Sequence, residues 1–432
     1  MPVEGVAAED RRKRATRIKA GTLRAALKDV DGVVQARNTI PVMAHVVIDA
    51  GNGRISLTGS DLDMWARREL ASDDRDGPGS ADWLASIRPF AVCVPAKALG
   101  DVLAKIDGDA MVTLSAPEAG GAGKGGDGRV SVKAGRARFQ LLCLPADDFP
   151  APPPMKVQTS FEMPCSALAD AFAAVEHAIS SEETRYYLNG VFVHTAQVEG
   201  EPQWLRLAAT DGHRLARLSI DPPEGAACWP DTIVGRLTVG LLDKLLAVAA
   251  KSAGEDAEPA RVLIEAGSAG RVRYSMPAAD GGEIEVIAKT VDGTFPDYER
   301  VIPVDPPLRA VIDRAAFMEA IERVAVMAAG KTRILRAEFS EGRVRLIGRS
   351  AELGEGEEEV ECCYTAGERV LGFDARYMLA ALKAVASDHV VLGFGAGDST
   401  EGSPIRIAGW SSPDFGGEET GRVVQVVMSA RV

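Results

Sequence analysis

The chain has 432 residues, 46% hydrophobic and 26% charged, with 49 Lys and Arg against 62 Asp and Glu, a formal net charge of −13. That length corresponds to about three domains of ordinary size. The apolar content excludes disorder over most of the chain, and no apolar run reaches the ~18 residues of a membrane span. Net acidity excludes a uniformly basic nucleic-acid binder, but it leaves room for basic groups gathered on one inner surface.

Residues 1–15 turn from acidic (Glu9, Asp10) to basic (Arg11, Arg12, Lys13, Arg14) with no apolar signal core behind them, which reads as a disordered tail on a cytoplasmic protein. A strand, a capping residue and an amphipathic run follow at Ile18–Leu27, and the pattern returns at Phe161–Phe172 and Ala310–Ile321. Thr22, Ser166 and Asp313 are the expected N-caps. A second amphipathic helix recurs at Lys97–Leu103, Val239–Leu246 and Arg376–Leu382, each with a strand after it. Asp148-Phe149-Pro150 and Thr294-Phe295-Pro296-Asp297 close the first two copies. Spacings of 145 and 149 residues between first helices, 142 and 137 between second helices and 146 between the Phe-Pro markers define one threefold repeat. Alternating strands such as Arg54–Thr58 and Trp204–Ala209 lie between the helices, so each copy reads as β-α-β-β-β-α-β-β-β. The fold class is α+β, two helices per copy on mainly antiparallel sheet. Pro150 to Pro154 and Pro303 to Pro307 mark joints, which sets a tail at 1–15 and domains at 16–150, 159–304 and 305–432. Ala116 to Gly128 is a Gly-rich hairpin loop.

The six cysteines (Cys93, Cys143, Cys165, Cys228, Cys362 and Cys363) form no Cys-x-x-Cys pair and sit near no histidine pair at zinc spacing. They read as idle thiols of a reducing compartment. Gly120 to Gly125 lacks the first glycine and the magnesium-binding hydroxyl of a phosphate loop. Asp211 and His213 offer an acid and a base to a hydrolase, but no recognised pattern places an activated Ser or Cys with them. That reading requires a nucleophile within about 3 Å of His213.

Two segments carry a specific resemblance: Arg185-Tyr186-Tyr187-Leu188-Asn189-Gly190 and Ala209-Thr210-Asp211-Gly212-His213-Arg214-Leu215-Ala216. They resemble the bacterial DNA sliding clamp, the beta subunit of DNA polymerase III. Arg37-Asn38-Thr39-Ile40-Pro41, Leu57 to Leu62, Asp292 to Tyr298 and Val426-Val427-Met428 agree in order and spacing, from Ile18 to Val432. The resemblance implies three tandem clamp domains and a head-to-tail homodimer closed into a six-domain ring, with helices lining a hole around duplex DNA. It implies a non-catalytic processivity factor with no cofactor and no metal, held topologically so that weak phosphate contacts suffice. Arg24, Lys28, Lys97, Lys105, Lys244, Lys251, Arg314, Arg323, Arg376 and Lys383 on candidate inner helices would face DNA, and acid would dominate outside.

By matching motif, a groove for partner peptides would include Leu188, Thr210, Gly212, His213, Arg214 and Leu215 of the second domain. Pro296, Arg300 and Val301 would follow, with Tyr377, Val427, Met428 and Arg431 from the third. An apolar pocket suits Leu and Phe anchors of an extended peptide, and Met adapts to several partners; the alternative for Leu188, Leu215 and Val427 is plain core. DNA contacts would fall to Arg37, Arg185, Tyr186 and Tyr187. For the ring seam, Arg136, Arg138 and Phe139 match an Arg-x-Arg-Phe edge strand, and Glu355, Glu357, Glu358 and Glu359 are the expected acidic partner surface. The implied partners are double-stranded DNA, the DNA polymerase III alpha subunit, the clamp loader complex, and other polymerases and repair factors carrying clamp-binding peptides. The implied setting is cytoplasmic and nucleoid-associated, with no membrane. Three departures stand out. Ser429 and Ala430 interrupt the usual Val-Val-Met-Pro-Met-Arg-Leu end, Asp374 replaces a common asparagine and is expected to add negative charge beside the pocket, and a basic pair is missing near Thr238 and Val239. The alternative reading is a clamp-fold scaffold that does not encircle DNA.

Overall fold

The computed structural model describes residues 15–35, 39–51, 54–70, 89–116, 128–197, 202–252, 258–328, 333–396 and 402–431. The basic tail, Arg37 and the Gly-rich segment 117–127 lie outside the described residues.

Each third of the chain passes through one order of elements. The first runs β1 (Ala15–Lys19), α1 (Ala20–Asp31), β2 (His45–Gly51), β3 (Arg54–Ser60), β4 (Met64–Glu69), β5 (Phe90–Pro95), α2 (Ala96–Leu103), β6 (Met111–Ser115), β7 (Arg129–Ala134) and β8 (Ala137–Leu142), plus a short β9 (Leu144–Pro145). The second runs β10 (Val157–Pro164), α3 (Cys165–Ala173), β11 (Gly190–Ala196), β12 (Trp204–Thr210), β13 (Arg214–Ile220), β14 (Thr232–Gly235), α4 (Arg236–Ser252), β15 (Arg261–Gly267), β16 (Arg271–Pro277) and β17 (Glu283–Lys289). The third runs β18 (Leu308–Asp313), α5 (Arg314–Val324), β19 (Ile334–Ser340), β20 (Arg343–Ser350), β21 (Gly354–Cys363), β22 (Arg369–Asp374), α6 (Ala375–Lys383), β23 (His389–Phe394), β24 (Pro404–Trp410) and β25 (Glu419–Met428). Four strands, not three, separate the two helices of each copy. The extra strands β5, β14 and β22 pass straight into the second helix with no turn between, so the sequence pattern hides their end.

The same direct entry corrects two caps. Asp313 caps α5 as expected, its carboxylate accepting the Ala316 amide at 2.7 Å. Thr22 and Ser166 do not cap, because α1 begins at Ala20 and α3 at Cys165, which places both residues inside the first turn.

The chain gathers into two compact units, one of Met1–Leu168 with Gly240–Lys289 and one of Ala169–Val239 with Thr290–Val432. The first contains a four-stranded sheet, β1-β6-β7-β8, and a nine-stranded sheet, β10-β15-β16-β17-β4-β3-β2-β5-β9. The second contains a twelve-stranded run, β14-β11-β12-β13-β25-β24-β23-β18-β21-β20-β19-β22. In each unit the last strand of one copy joins the preceding copy. β17 pairs with β4, setting Val286 opposite Ala66, and β25 pairs with β13, setting Gln425 opposite Ala216. The internal repeat maps these pairs onto one another, so the two junctions share a register.

Helices lie on the sheets by one apolar face. α1 buries Ala20, Leu23, Ala26, Leu27 and Val30, and α5 buries Phe317, Ala320, Ile321 and Val324, at the three- and four-residue spacing of an amphipathic stripe. Glycine allows the close approach: a Cβ on Gly59 of β3 would stand 2.9 Å from the Val30 carbonyl, and one on Gly348 of β20 2.6 Å from the Val324 carbonyl. Among the described residues no helix is long and apolar enough to cross a membrane.

Candidate functional site

The β12–β13 hairpin turns through Asp211-Gly212-His213. Asp211 Oδ1 accepts the amides of His213 and Arg214 at 2.9 and 3.0 Å, and Thr210 Oγ1 donates to the Arg214 carbonyl at 2.7 Å. Gly212 sits at φ +88°, where a side chain would be strained. The turn exposes His213 and leaves Arg214 half-buried, its Nε 3.0 Å from Asp211 Oδ2. Both reach α6: the Arg214 guanidinium lies 4.5 Å from the Tyr377 ring centre, and the His213 ring stacks on Tyr377 at 6.3 Å. The Met428 amide donates to the His213 carbonyl at 2.9 Å, extending the β13–β25 ladder to the turn. No hydroxyl or thiol is bonded to the His213 ring among the described residues, so the hydrolase constellation is not assembled.

Leu188 and Leu215 are buried in one cluster with Phe295, Tyr298, Ile302, Val424 and Val426, while fully buried Val427 belongs to the core of the third copy. These three therefore form the wall behind the site, and half-buried Met428 packs on the cluster. Thr210 is nearly buried and braces the turn. The connector after β17 carries exposed Pro296, Arg300 and Val301, with Arg300 paired to Asp297 at 2.7 Å. Phe295 anchors it by stacking on Phe192 at 4.9 Å, and the Tyr298 hydroxyl lies 2.8 Å from His194 Nε2. The chain end is held as well. Ser429 exchanges two bonds of 2.9 Å with Ser403, donating through its amide and accepting through Oγ, and the Ala430 amide donates to the Gly372 carbonyl at 2.8 Å. Exposed Arg431 follows. Asp374 corrects an expectation: it is buried, caps α6, and accepts Arg376 Nη2 at 2.6 Å and Nε at 3.1 Å, so its charge is matched rather than presented.

Arg185, Tyr186 and Tyr187 share a 3₁₀ turn, Glu183–Leu188. Tyr186 is 53% exposed, Tyr187 packs on the Leu188 cluster, and Arg185 is held by Glu182 through bonds of 2.8 and 2.9 Å. Arg136 occupies the β7–β8 turn rather than the strand; Arg138 and Phe139 lie on β8. Side chains alternate along a strand, so Glu355, Glu357 and Glu359 share the exposed face of β21 and Glu358 lies on the other. Glu357 and Glu359 are exposed and pair with Arg345 and, at 3.3 Å, with Arg343. Glu358 turns to α5 and holds Arg323 through bonds of 2.6 and 2.9 Å. Glu355 pairs with Arg349 at 2.7 Å.

Three family models cover the chain in order: the DNA polymerase III beta subunit N-terminal domain over 16–153, the central domain over 162–297 and the C-terminal domain over 299–411. The chain belongs to the DNA polymerase III beta subunit family, the bacterial sliding clamps. It is 35% identical over 362 residues to the beta sliding clamp of Caulobacter vibrioides, covering 84% of this chain and 88% of that one. It is 30% identical over 364 residues to that of Escherichia coli K12, at the same coverages. The crystal structure of the Bartonella birtlesii clamp bound to griselimycin matches with TM-score 0.81 at 30% identity, covering 97% of this chain and all of that one. A Caulobacter crescentus clamp structure matches with TM-score 0.79 at 33% identity and the same coverages. Clamps of this family are non-catalytic processivity factors, and this clamp binds DNA and polymerase partners without chemistry of its own.

Several residues of the clamp escaped sequence reasoning. Arg206 and Arg217, on β12 and β13, both donate to Glu299, and fully buried Gln425 donates to the Ala174 carbonyl at 3.0 Å. Burial, followed by the charge of Arg214, pushes the His177 imidazole down to about 4. The available signal was a pair of arginines inside otherwise apolar alternating strands.

Proposed function

We propose that this clamp closes as a head-to-tail homodimer around duplex DNA and tethers the polymerase III alpha subunit through the Tyr377–Met428 groove, with domains at 16–150, 159–304 and 305–432. The observation that carries the reading is the unfinished pairing of the repeat. β17 pairs with β4 and β25 with β13, which leaves β8 of the first copy and β21 of the third without the equivalent neighbour. Continuing the shared register sets Phe139 of one chain opposite Gly356 of the other, Arg138 opposite Glu357 and Arg136 opposite Glu359. At the β4–β17 junction the same place holds Arg67 opposite Glu285, the reverse polarity. Opposite charges at the true seam thus favour β8 with β21 over like-to-like pairing.

The clamp loader opens this seam, and repair polymerases and other peptide-bearing factors compete for the groove in a cytoplasmic, nucleoid-associated setting. Tyr186 and Arg185 reach DNA at the rim; Arg37, outside the described residues, is the DNA contact expected from the sequence. Arg24, Lys28, Lys105 and Lys244 are exposed with no ion pair among the described residues and serve the passing phosphates. Griselimycin, bound by the Bartonella birtlesii clamp, is a probe for the groove. Light scattering tests the assembly: a mass of twice 45.6 kDa is expected, with retention on nicked circular plasmid and loss on linearisation. A monomer, or a protein that linearisation does not release, would shift the reading to a non-encircling scaffold.

A further inference from the structure

We propose that Glu299 is a positioning residue for the partner-peptide groove, held by a two-arginine clamp on the face of the second domain. This rests on the groove reading above. Arg206 Nη1 donates to Glu299 Oε1 at 2.8 Å and Arg217 Nη1 to Oε2 at 3.0 Å, so one carboxylate is gripped by both of its oxygens. The arginines come from neighbouring strands, β12 and β13, and their side chains are 9% and 17% exposed. Their Nε atoms are buried without an acceptor, so Glu299 supplies the only carboxylate paired with either guanidinium among the described residues.

Glu299 sits in the 3₁₀ turn Tyr298–Val301. Tyr298 beside it is buried, and its hydroxyl meets His194. The next two residues, Arg300 and Val301, are exposed, as is Pro296. Buried Tyr298 and Glu299, which is 40% exposed but gripped by both oxygens, therefore fix the direction in which Arg300 and Val301 point. The stacked Phe295 fixes the other end of the segment but not the rotation of its last turn. Removing the Glu299 charge leaves two buried cations side by side, and the turn that carries one wall of the groove comes loose.

The test is a double-mutant cycle read by griselimycin calorimetry on the full-length dimer. Glu299→Gln is expected to weaken griselimycin at least tenfold, Arg217→Gln severalfold, and the double variant no more than Glu299→Gln alone. Dimer mass and plasmid retention should not change, and Glu299→Asp should recover part of the loss. Affinity within twofold of wild type in Glu299→Gln, or losses that simply add, would overturn the proposal. If Glu299→Gln does not fold, Arg217→Gln decides alone: unchanged affinity rejects the clamp. Failure of the wild type to bind griselimycin would instead reject the groove.

Discussion

Replacing Phe139 by alanine should open the ring while its domains stay folded. In the single chain Phe139 is half-buried on β8, opposite fully buried Val132 on the side that faces the helices. The proposed register sets it against Gly356 of the partner chain. A Cβ on Gly356 would already stand 2.7 Å from Met327 Cγ, so glycine leaves a floor on which the ring can lie. Val326, 69% exposed, lies next to Met327 in sequence with no described apolar cover. A phenylalanine offers about 150–250 Å², so roughly 100 Å² leaves water at each seam. At about 25 cal/mol per Å² that is ~2.5 kcal/mol per seam and ~5 kcal/mol for a ring with two. The dimer Kd should rise by roughly 10³- to 10⁴-fold. Sedimentation from nanomolar to micromolar concentration measures it, with thermal melting to confirm intact domains. Leu142→Ser, on the opposite side of β8 and 57% exposed, is the control and should move the Kd less. A Phe139→Ala dimer within threefold of wild type would refute the register.

Arg136→Glu with Arg138→Glu should weaken the dimer more at low salt than at high salt, because exposed pairs are screened; an unchanged sedimentation profile at both would remove the charge argument. Deleting Met428 to Val432 should abolish polymerase and griselimycin binding and keep the dimer, since Met428 packs on the Leu188 cluster of the proposed groove and Ser429 and Ala430 are bonded to Ser403 and Gly372 rather than to β8 or β21; a monomeric deletion would contradict it. Arg68, 2% exposed, binds Asp29 at 3.0 Å and also Asp280. Arg68→Ala should cost about 2–4 kcal/mol, because it empties the space of a large buried side chain and takes the cation from half-buried Asp29, read by denaturant unfolding, and a loss below about 1 kcal/mol would sink that reading. His177 has a folded value of about 4 against an ordinary 6.5, set first by burial and then by Arg214. The folded state therefore binds fewer protons between those values. Stability should be full above pH 6.5 and fall by up to about 3 kcal/mol as the pH drops through 4. His177→Gln should remove that slope, and parallel melting curves would reject it.

The repeat was legible because apolar spacing and N-terminal helix signals survive divergence, and the period located both helices of every copy. The strands β5, β14 and β22 were not, because a strand that enters a helix without a turn residue leaves no punctuation. Thr22 and Ser166 misled for the same reason: a good capping residue says nothing when the helix has already begun. The glutamate run at 357–359 reads as one patch in the sequence, yet a strand divides it between two faces. Glu299 was invisible because its partners Arg206 and Arg217 lie 93 and 82 residues away, and nothing local marks a carboxylate that two distant arginines will share.

One repeat produces junctions of different permanence, and the substitutions at matching positions say why. At the first junction Trp65 stands where the second has Leu215. Its indole donates to the Pro150 carbonyl at 2.9 Å, closing the space next to the Phe-Pro segment, and buried Arg68 ties α1 to the β16–β17 turn through Asp29 and Asp280. The second junction has the smaller Leu215 there and holds its Phe-Pro segment through Glu299, which Arg206 and Arg217 grip. At the third, the matching positions on β21 are glycine and glutamates whose charges already have exposed partners within the chain. Exchanging one exposed partner for another across chains gains little, since such pairs are worth about 0–1 kcal/mol each. On the proposed register the seam would therefore depend on a few apolar contacts around Phe139, and of the three joints it would be the one that can part without breaking a buried ion pair.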